Sequence, residues 1–513
     1  MQALTMQASA PPVSAPVAHA FNLRLLVGIL GVLLAAITSG INGRVGAIAL
    51  IDVRGSLGLS VDDGSWLTVI YSAFELAAMP LSAWFAGTFS FRRFHLVVMG
   101  VFAGIALMLP AVQSWPWLLA LRGLQGFFGG LLIPVLMAAA LRFFPLSLRL
   151  YGLSLYALTA TFSPNLAAWL SALWIDTLHM PSLIYLQVVP LAVLSMIGVA
   201  WGIPQDPVRL ERFGQINLLG LVTGTVGLVL AAIVLGQGER LDWWHSPFIR
   251  TAACVAVPML AVFLVSEWFH PLPFMRLQLL RRRNLGLGFA IFVCLLIVLL
   301  SGSLLPSDYL IERWHFRAQY IDAIGLQLAL PQLILGPAVS FLLYKQWVDA
   351  RKVFALGLAA IAMACFLGSQ ITSEWMVAEF TFVQALHAIG QPMAVVSMLF
   401  LATSVVQPME GPFVSGIINM LRALGTLIGS TLVTRLLISR EHFHNHALVD
   451  QLGRSAAPVD EPMAHLAHAI GEQALVLSIA DLFRLLGAAA LVLIPAVLCL
   501  QRMRPPVILK SNS

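Results

Sequence analysis

Charged residues are scarce in this chain, and their scarcity excludes an ordinary soluble protein. Only 10% of the 513 residues are Asp, Glu, Lys or Arg, whereas 59% are hydrophobic, and the mean hydropathy is +0.90. A soluble domain carries about 25% charged residues. The composition therefore indicates an integral membrane protein. The excess of basic over acidic residues, 29 to 23, bears on membrane topology, and nothing in the sequence indicates nucleic-acid binding.

Cysteine pairs and catalytic signatures are also missing. The chain has four cysteines, which lie far apart in apolar runs and form no CxxC pair, so neither a disulfide framework nor a metal site is indicated. No GxxxxGK[ST] phosphate loop, HExxH or GxSxG motif is present. The chain is therefore not expected to hydrolyse nucleotides, and no cofactor is predicted.

Long apolar runs are what the sequence does contain. A membrane-spanning helix needs about 20 apolar residues, and this length predicts fourteen helices. They are expected near 23–42, 66–87, 95–113, 117–140, 150–174, 182–202, 216–236, 249–269, 286–306, 322–344, 353–370, 376–402, 411–437 and 476–500. Residues 1–22 lack the basic leader of a signal peptide, so they are interpreted as a cytoplasmic tail.

The distribution of basic residues supports this count. With both termini in the cytoplasm, the inner loops hold seventeen Lys and Arg residues and the outer loops hold eight. This asymmetry follows the positive-inside rule. An odd number of helices between the two termini would remove this asymmetry. A multi-pass membrane protein with both termini in the cytoplasm is therefore expected.

Residues 438–475 form the longest predicted loop, interpreted as an amphipathic periplasmic segment. Asp481 and Arg484, three residues apart on the last helix, are expected to pair. Alternate histidines occur in the loop, but on a helix they would diverge, and no Cys or carboxylate completes a ligand set. A metal site is therefore not predicted at His442, His444 and His446.

Residues 121–134, LRGLQGFFGGLLIP, combine one arginine with four glycines in an apolar helix. Glycines three or four residues apart share a helix face and allow a neighbouring backbone to come close. A charge such as Arg122 inside a membrane span costs a few kcal/mol unless it faces water or a carboxylate. Arg122 is therefore a candidate functional residue, and snorkelling to the membrane surface is the alternative.

Few other polar groups lie within the spans. Glu75, in the middle of the second helix, lies at a depth similar to Arg122, and such a pair can take up and release a proton as water access alternates. A purely structural role for Glu75 is an equal alternative. Further candidates for the transport path are Asn42, Glu379, His387 and Arg422.

Several stretches resemble the major facilitator superfamily, and specifically its fourteen-helix drug:proton antiporters of the EmrB/QacA type. The run around Trp66, Thr68, Tyr71, Ala77 and Pro80 resembles the family's second helix, and residues 411–432 and 478–488 resemble its last two helices. The segment LRGLQGFFGG resembles motif B, which implies a role in proton coupling for its arginine. The matching positions are Arg122, Gly123, Gln125, Gly126 and Gly130.

The chain also departs from the family pattern. The antiporter motif GPxxGG is reduced to Ser163-Pro164-Asn165-Leu166-Ala167-Ala168, with Ser163, Ala167 and Ala168 in place of glycines. The helix-one carboxylate position holds Asn42. These changes shift the expected proton carrier to Glu75 and leave the direction of transport and the coupling ion open.

The resemblance implies an all-α membrane protein with the major facilitator fold. Two six-helix bundles (23–202 and 286–501) would be joined by two extra helices and a linker (203–285), between cytoplasmic tails at 1–22 and 502–513. It implies proton-coupled export of small amphipathic compounds across the lipid bilayer of a bacterial inner (plasma) membrane. It also implies possible docking to a periplasmic membrane-fusion adaptor and an outer-membrane channel.

Two other functions remain open from the sequence. One is an uptake carrier on the same fold. The other is a polytopic membrane enzyme, for which residues 438–475 are the only candidate catalytic segment, and their composition is poor in groups suited to chemistry.

Overall fold

The chain forms a bundle of long helices. The computed structural model describes residues 22–48, 55, 58, 60–145, 148–345, 347–407, 410–454 and 463–503, which contain no strand. The long helices are α1 (Leu23–Ile48), α2 (Val61–Phe89), α3 (Phe91–Met108), α4 (Trp115–Phe143), α5 (Arg149–Ala172), α6 (Val188–Gly202), α7 (Leu218–Gln237), α8 (Pro247–Phe269), α9 (Arg283–Leu299), α10 (Ala318–Tyr344), α11 (Ala350–Gly368), α12 (Thr381–Thr403), α13 (Gly411–Arg454) and α14 (Met463–Leu498). The predicted fourteen-helix all-α membrane fold is confirmed.

Helix α5 differs from the other long helices in its polarity. Thirteen segments of the described chain are long and apolar enough to cross a membrane, and α5 is not among them although it has 24 residues. Its hydroxyl and amide side chains lower its hydropathy, yet they are buried, as Ser154, Thr159 and Asn165 illustrate. Because these groups face protein rather than lipid, α5 can cross the bilayer within the bundle.

The predicted loop at 438–475 is wrong. Helix α13 continues to Arg454 and α14 begins at Met463; residues 455–462 lie outside the described ranges. The prediction ended α13 where apolar residues run out, but a helix needs only compatible backbone and packing partners. Arg440 and His444, one turn apart on α13, both contact the Asp481 carboxylate on α14. Arg484 also donates to Asp481 at 3.1 Å, as predicted.

The length of α13 has a geometric consequence. Its 44 residues span about 66 Å at a rise of 1.5 Å per residue, whereas the hydrocarbon core of a bilayer is about 30 Å thick. The helix therefore extends well beyond the membrane together with the start of α14. Four histidines of this extension are exposed: His442 and His446 on α13, and His465 and His468 on α14.

Several other helix boundaries also differ from the prediction, and two of them have a clear local cause. Helix α9 ends at Leu299 and is followed by a 3-10 turn and a short helix, Leu304–Trp314, instead of running to 306. Helix α2 starts at Val61 rather than 66, because the Ser60 hydroxyl accepts a hydrogen bond from the Asp63 N–H at 3.1 Å and caps the helix. Side-chain caps satisfy amide groups at a helix start whether or not the first turn is apolar.

Helices α1–α6 pack around one another, as do α9–α14, and α7 and α8 form a pair beside α2. The two larger groups meet where α5 packs on α10 and where α2 and α4 pack on α13. The described N- and C-terminal residues lie on the same side of the bundle, here called the terminal face, and the opposite side is called the distal face. Several of the candidate residues considered below belong to helices at this boundary, namely α2, α4, α5 and α13.

Candidate functional site: a charged cluster between the helix groups

Glycines bring α4 into backbone contact with α2. A Cβ atom placed on Gly126 would lie 2.2 Å from the Tyr71 carbonyl oxygen, and one on Gly130 would lie 2.2 Å from the Glu75 carbonyl oxygen. A Cβ on Gly123 would also be tight, 3.0 Å from the Ile70 side chain. The close approach expected from the glycine spacing is thus present. It sets the separation between α4, which carries Arg122, and α2, which carries Glu75.

Arg122 is buried inside the bundle rather than at the membrane surface. Its side chain is 2% exposed, and its guanidinium lies 4.5 Å from the ring centre of Tyr71. Nη1 donates to the Gln125 amide oxygen at 2.8 Å, and Nη2 faces Gly46 of α1 closely enough that a Cβ there would be 2.7 Å away. Nε has no partner among the described residues. This geometry excludes snorkelling to the headgroups.

Glu75 is an intramembrane carboxylate whose charge interacts with Arg122. It is half-buried, and within the described ranges its oxygens make neither a hydrogen bond nor an ion pair. Its charge interacts with three guanidinium groups, those of Arg422, Arg44 and Arg122. A carboxylate that is deep in the bundle, partly accessible and surrounded by cations at a distance can exchange a proton with water.

Helix α1 completes one side of this cluster. Arg44 is exposed near the distal end of α1 and interacts electrostatically with Glu75 and Arg422. Asn42 is buried and lies beside the Tyr71 hydroxyl. We call Arg44, Glu75, Arg122 and Arg422 the charged cluster. It draws on α1, α2, α4 and α13, so it lies across the boundary between the helix groups.

Two hydrogen bonds of equal length join α5 to α13 next to the cluster. The Tyr156 hydroxyl donates to the Asn419 amide oxygen at 2.9 Å, and Arg422 Nη1 donates to the Thr159 hydroxyl at 2.9 Å. Sequence reasoning selected Arg422 but missed Tyr156 and Thr159. Their spacing of three residues matches that of Asn419 and Arg422, and this shared i,i+3 pattern was the available signal.

The remnant of the antiporter motif lies in the second half of α5. Ser163 is buried, its hydroxyl has no partner among the described residues, and its Cβ faces Gly40 of α1. Pro164 lies within the helix, which nevertheless continues to Ala172. Ala167 is fully buried and Ala168 is partly buried. These residues pack α5 against α1 beside the cluster.

His387 and Glu379 do not join the charged cluster. His387 of α12 is fully buried, with neither ring nitrogen hydrogen-bonded within the described structure, and it adjoins Gly302 and Gln391. Gln391 in turn accepts a hydrogen bond from Gln332 at 3.0 Å. Glu379 is exposed in the turn before α12, where it accepts a hydrogen bond from the Met376 N–H at 2.8 Å. The structure thus separates these two candidates from Glu75 and Arg122.

Comparisons with known proteins agree with this architecture. The model of the Major Facilitator Superfamily matches residues 29–430. The chain is 24% identical over 462 residues to the multidrug export protein EmrB of Haemophilus influenzae, with 87% of each protein covered. It is 23% identical over 450 residues to the fatty acid resistance protein FarB of Neisseria gonorrhoeae, with 85% of each covered.

A solved structure shows the same fold. The human organic anion transporter MFSD10 superposes with a TM-score of 0.53 at 14% identity, covering 91% of this chain and 99% of that one. The family match spans most of the chain, and the fourteen-helix bundle with its intramembrane charges is that of a transporter, not of a membrane enzyme. The chain belongs to the Major Facilitator Superfamily.

Proposed function

We propose that this transporter exports small amphipathic organic compounds in exchange for protons. The observation that carries the proposal is the state of Glu75, a half-buried intramembrane carboxylate without a hydrogen-bonded partner in the described chain. Its charge interacts with those of three arginines. The export direction is supported by the similarity to EmrB, which is named as a multidrug export protein. Glu75 would carry the proton, and Arg122 would tune its charge.

Exchange of solute for protons follows if the proton and the solute compete for the carboxylate oxygens of Glu75. A solute that donates a hydrogen bond to ionised Glu75 binds more weakly once a proton occupies that carboxylate. Binding free energies are reciprocal, so the solute must equally weaken proton binding. A proton entering from one side therefore releases the solute, and a solute entering from the other releases the proton.

The balance of charge restricts the solutes. Three arginines and one carboxylate leave the charged cluster with an excess of positive charge, which repels permanently cationic compounds. Neutral or weakly acidic amphipathic compounds are therefore the proposed substrates. FarB, which is named for resistance to fatty acids, is consistent with an acidic amphipathic solute on this fold.

The bonds between α5 and α13 suggest how the cluster follows the conformational change. Transporters of this kind rock one helix group against the other around a site near the midplane. Arg422 reaches from α13 toward Glu75 and also holds Thr159 of α5. We propose that it senses the charge of Glu75 and transmits it to the contact between the groups. Asn42 would position Tyr71 against Arg122, and Gly126 and Gly130 would fix the α2–α4 distance.

His387 is proposed as a secondary relay in the C-terminal helices, because its unpartnered nitrogens can bind water. Glu379 is left out of the relay because it is exposed and separate. The terminal face is proposed to be cytoplasmic, in the inner membrane of a bacterium. The extension of α13 and α14 would then enter the periplasm, where it offers a surface for a membrane-fusion adaptor and an outer-membrane channel.

A proton-coupled uptake carrier is the runner-up, and the arginine excess is the observation that favours it. An anionic solute held by Arg44, Arg122 or Arg422 would bind more tightly once Glu75 is protonated. Proton and solute would then travel together. Accumulation of a fluorescent acid in cells, rather than its extrusion, would decide for this alternative.

The experiment uses the purified full chain in liposomes with an imposed pH gradient and a panel of fluorescent dyes. Arg122→Ala is expected to abolish gradient-driven dye movement while the protein still folds. Arg484→Ala, which removes an exposed arginine of α14, is the control and should transport like the wild type. Normal transport by Arg122→Ala, or no response of the wild type to the pH gradient, would refute the proposal.

A further inference from the structure

A basic recess opens on the terminal face of the bundle, between α1, α3 and the end of α6. Its volume is about 270 Å³, and it is lined by Asn22, Arg24, Arg92, Gln205 and residues 202–204. A water molecule occupies about 30 Å³, so the recess has room for a phosphate group and the atoms attached to it. It lies far along α1 from the charged cluster, so it is a separate feature.

The two arginines of the recess have no acidic partner among the residues that the structure describes. Arg92 makes no hydrogen bond or ion pair with any described residue. Arg24 donates through Nε to the Trp201 carbonyl at 2.6 Å, and its two terminal nitrogens bond to no residue of the described ranges. No Asp or Glu lines the recess, and residues 1–21, which precede it in the chain, contain none either. Two guanidinium groups therefore face one space without a counter-charge.

The backbone adds to this positive potential. Helix α1 begins at Leu23, and its capping residue Asn22 lines the recess. Helix amino termini carry partial positive charge and bind phosphate groups. The recess exists because α1 and α6 cross closely: a Cβ on Gly28 would lie 2.7 Å from the Gly202 carbonyl carbon. This crossing brings Arg24 to the end of α6.

Apolar residues that adjoin the lining residues in the chain are exposed. Leu23 is 71% exposed and Trp201 is 51% exposed, and Ile197, one turn before Trp201, is exposed as well. Tryptophan is enriched at the boundary between headgroups and acyl chains. A soluble phosphate would use the arginines alone, whereas a phospholipid would also cover these side chains.

We propose that this recess binds the phosphate of an anionic phospholipid headgroup in the leaflet at the terminal face. Arg24 and Arg92 clamp the phosphate oxygens with charge-assisted hydrogen bonds, and the acyl chains run along Leu23 and Ile197. Because α1, α3 and α6 all contribute, the bound lipid joins three helices of the N-terminal group.

Native mass spectrometry of the detergent-purified full chain, titrated with phosphatidylglycerol, tests the proposal. Arg92→Gln and Arg24→Gln should each weaken binding of the first lipid about tenfold, the loss of one charge-assisted contact. Arg93→Gln is the matched control: Arg93 is the exposed neighbour of Arg92 and does not line the recess. Arg92→Lys, which keeps the charge, should bind better than Arg92→Gln.

Two further ligands distinguish the source of the phosphate. Diacylglycerol with the same acyl chains should not bind at this site, and inorganic phosphate should compete only weakly with the lipid. Strong competition by inorganic phosphate would retain the phosphate site and assign it to a soluble anion. Equal loss in Arg93→Gln, or equal binding of diacylglycerol, would overturn the site.

Discussion

The seam between α2 and α4 allows a sharp test of how the charged cluster is positioned. An added methyl group on Gly126 would lie 2.2 Å from the Tyr71 carbonyl oxygen, and one on Gly130 would lie 2.2 Å from that of Glu75. Carbon and carbonyl oxygen approach to about 3.3 Å at best in helix packing. The added Cβ is bonded to the backbone of α4, and the carbonyl oxygen belongs to the backbone of α2, so neither atom can rotate away. Helices α2 and α4 must therefore separate by about 1 Å.

We expect Gly126→Ala and Gly130→Ala to destabilise the protein and to impair transport together. Overpacking of a dense core costs about 1–3 kcal/mol, which should lower the thermal unfolding midpoint of the detergent-purified protein by several degrees. The same separation moves Arg122 away from Glu75. Gradient-driven dye transport in liposomes should therefore fall more steeply than the amount of folded protein.

Gly104→Ala is the matched control for this prediction. Gly104 lies in α3, and a Cβ there meets no atom within 4 Å. The substitution adds the same methyl group to a membrane helix without a clash. Its unfolding midpoint should equal or exceed that of the wild type, because alanine favours a helix more than glycine does, and its transport should be unchanged. If Gly126→Ala behaves like Gly104→Ala in both assays, then the seam does not position the cluster.

Two further predictions concern contacts outside the seam. Thr159→Val removes the hydroxyl that accepts a hydrogen bond from Arg422 and should lower the free energy of unfolding by about 1–3 kcal/mol. Thr161→Val is the control, because its hydroxyl bonds only within its own helix, and it should lower this free energy less. Equal losses of stability in the two variants would contradict a stabilising role for the hydrogen bond between α5 and α13. Arg282 binds both oxygens of Glu410 at 2.7 Å and holds the pKa of that carboxyl below its usual 4.5. This stabilisation is present above pH 4.5 and is lost as the pH falls through the lowered value, so Glu410→Gln should unfold earlier than the wild type at neutral pH but converge with it in acid. A constant difference across that range would contradict the pairing.

Apolar length and basic-residue asymmetry predicted the fourteen helices, because the cost of burying polar groups in a bilayer leaves little choice of span. The length of the apolar run failed as a criterion at α13, where the helix continues into water and is held by Arg440, His444 and Asp481. An apolar run indicates how much of a helix lies in the membrane, not how long the whole helix is.

Only part of the charged cluster could be predicted from the sequence. Arg122 and Glu75 could be selected from the sequence because a charged side chain inside an apolar run is energetically costly in a membrane. Tyr156 and Thr159 were not, because buried hydroxyls are common in helices and their partners lie 263 residues away in the chain. Glu379 and His387 were both predicted on the same helix, but α12 begins only after Glu379, which lies exposed in the preceding turn. Which charges meet depends on packing that spacing alone does not specify.

Whether Glu75 releases a proton when a solute binds can be measured with a pH indicator in a weakly buffered solution of the purified full chain. Adding a transported compound to the wild type should acidify the solution in proportion to the compound bound. Glu75→Gln should bind the compound, as judged by tryptophan fluorescence, with no change in pH. Equal proton release by Glu75→Gln and the wild type would contradict proton carriage by Glu75.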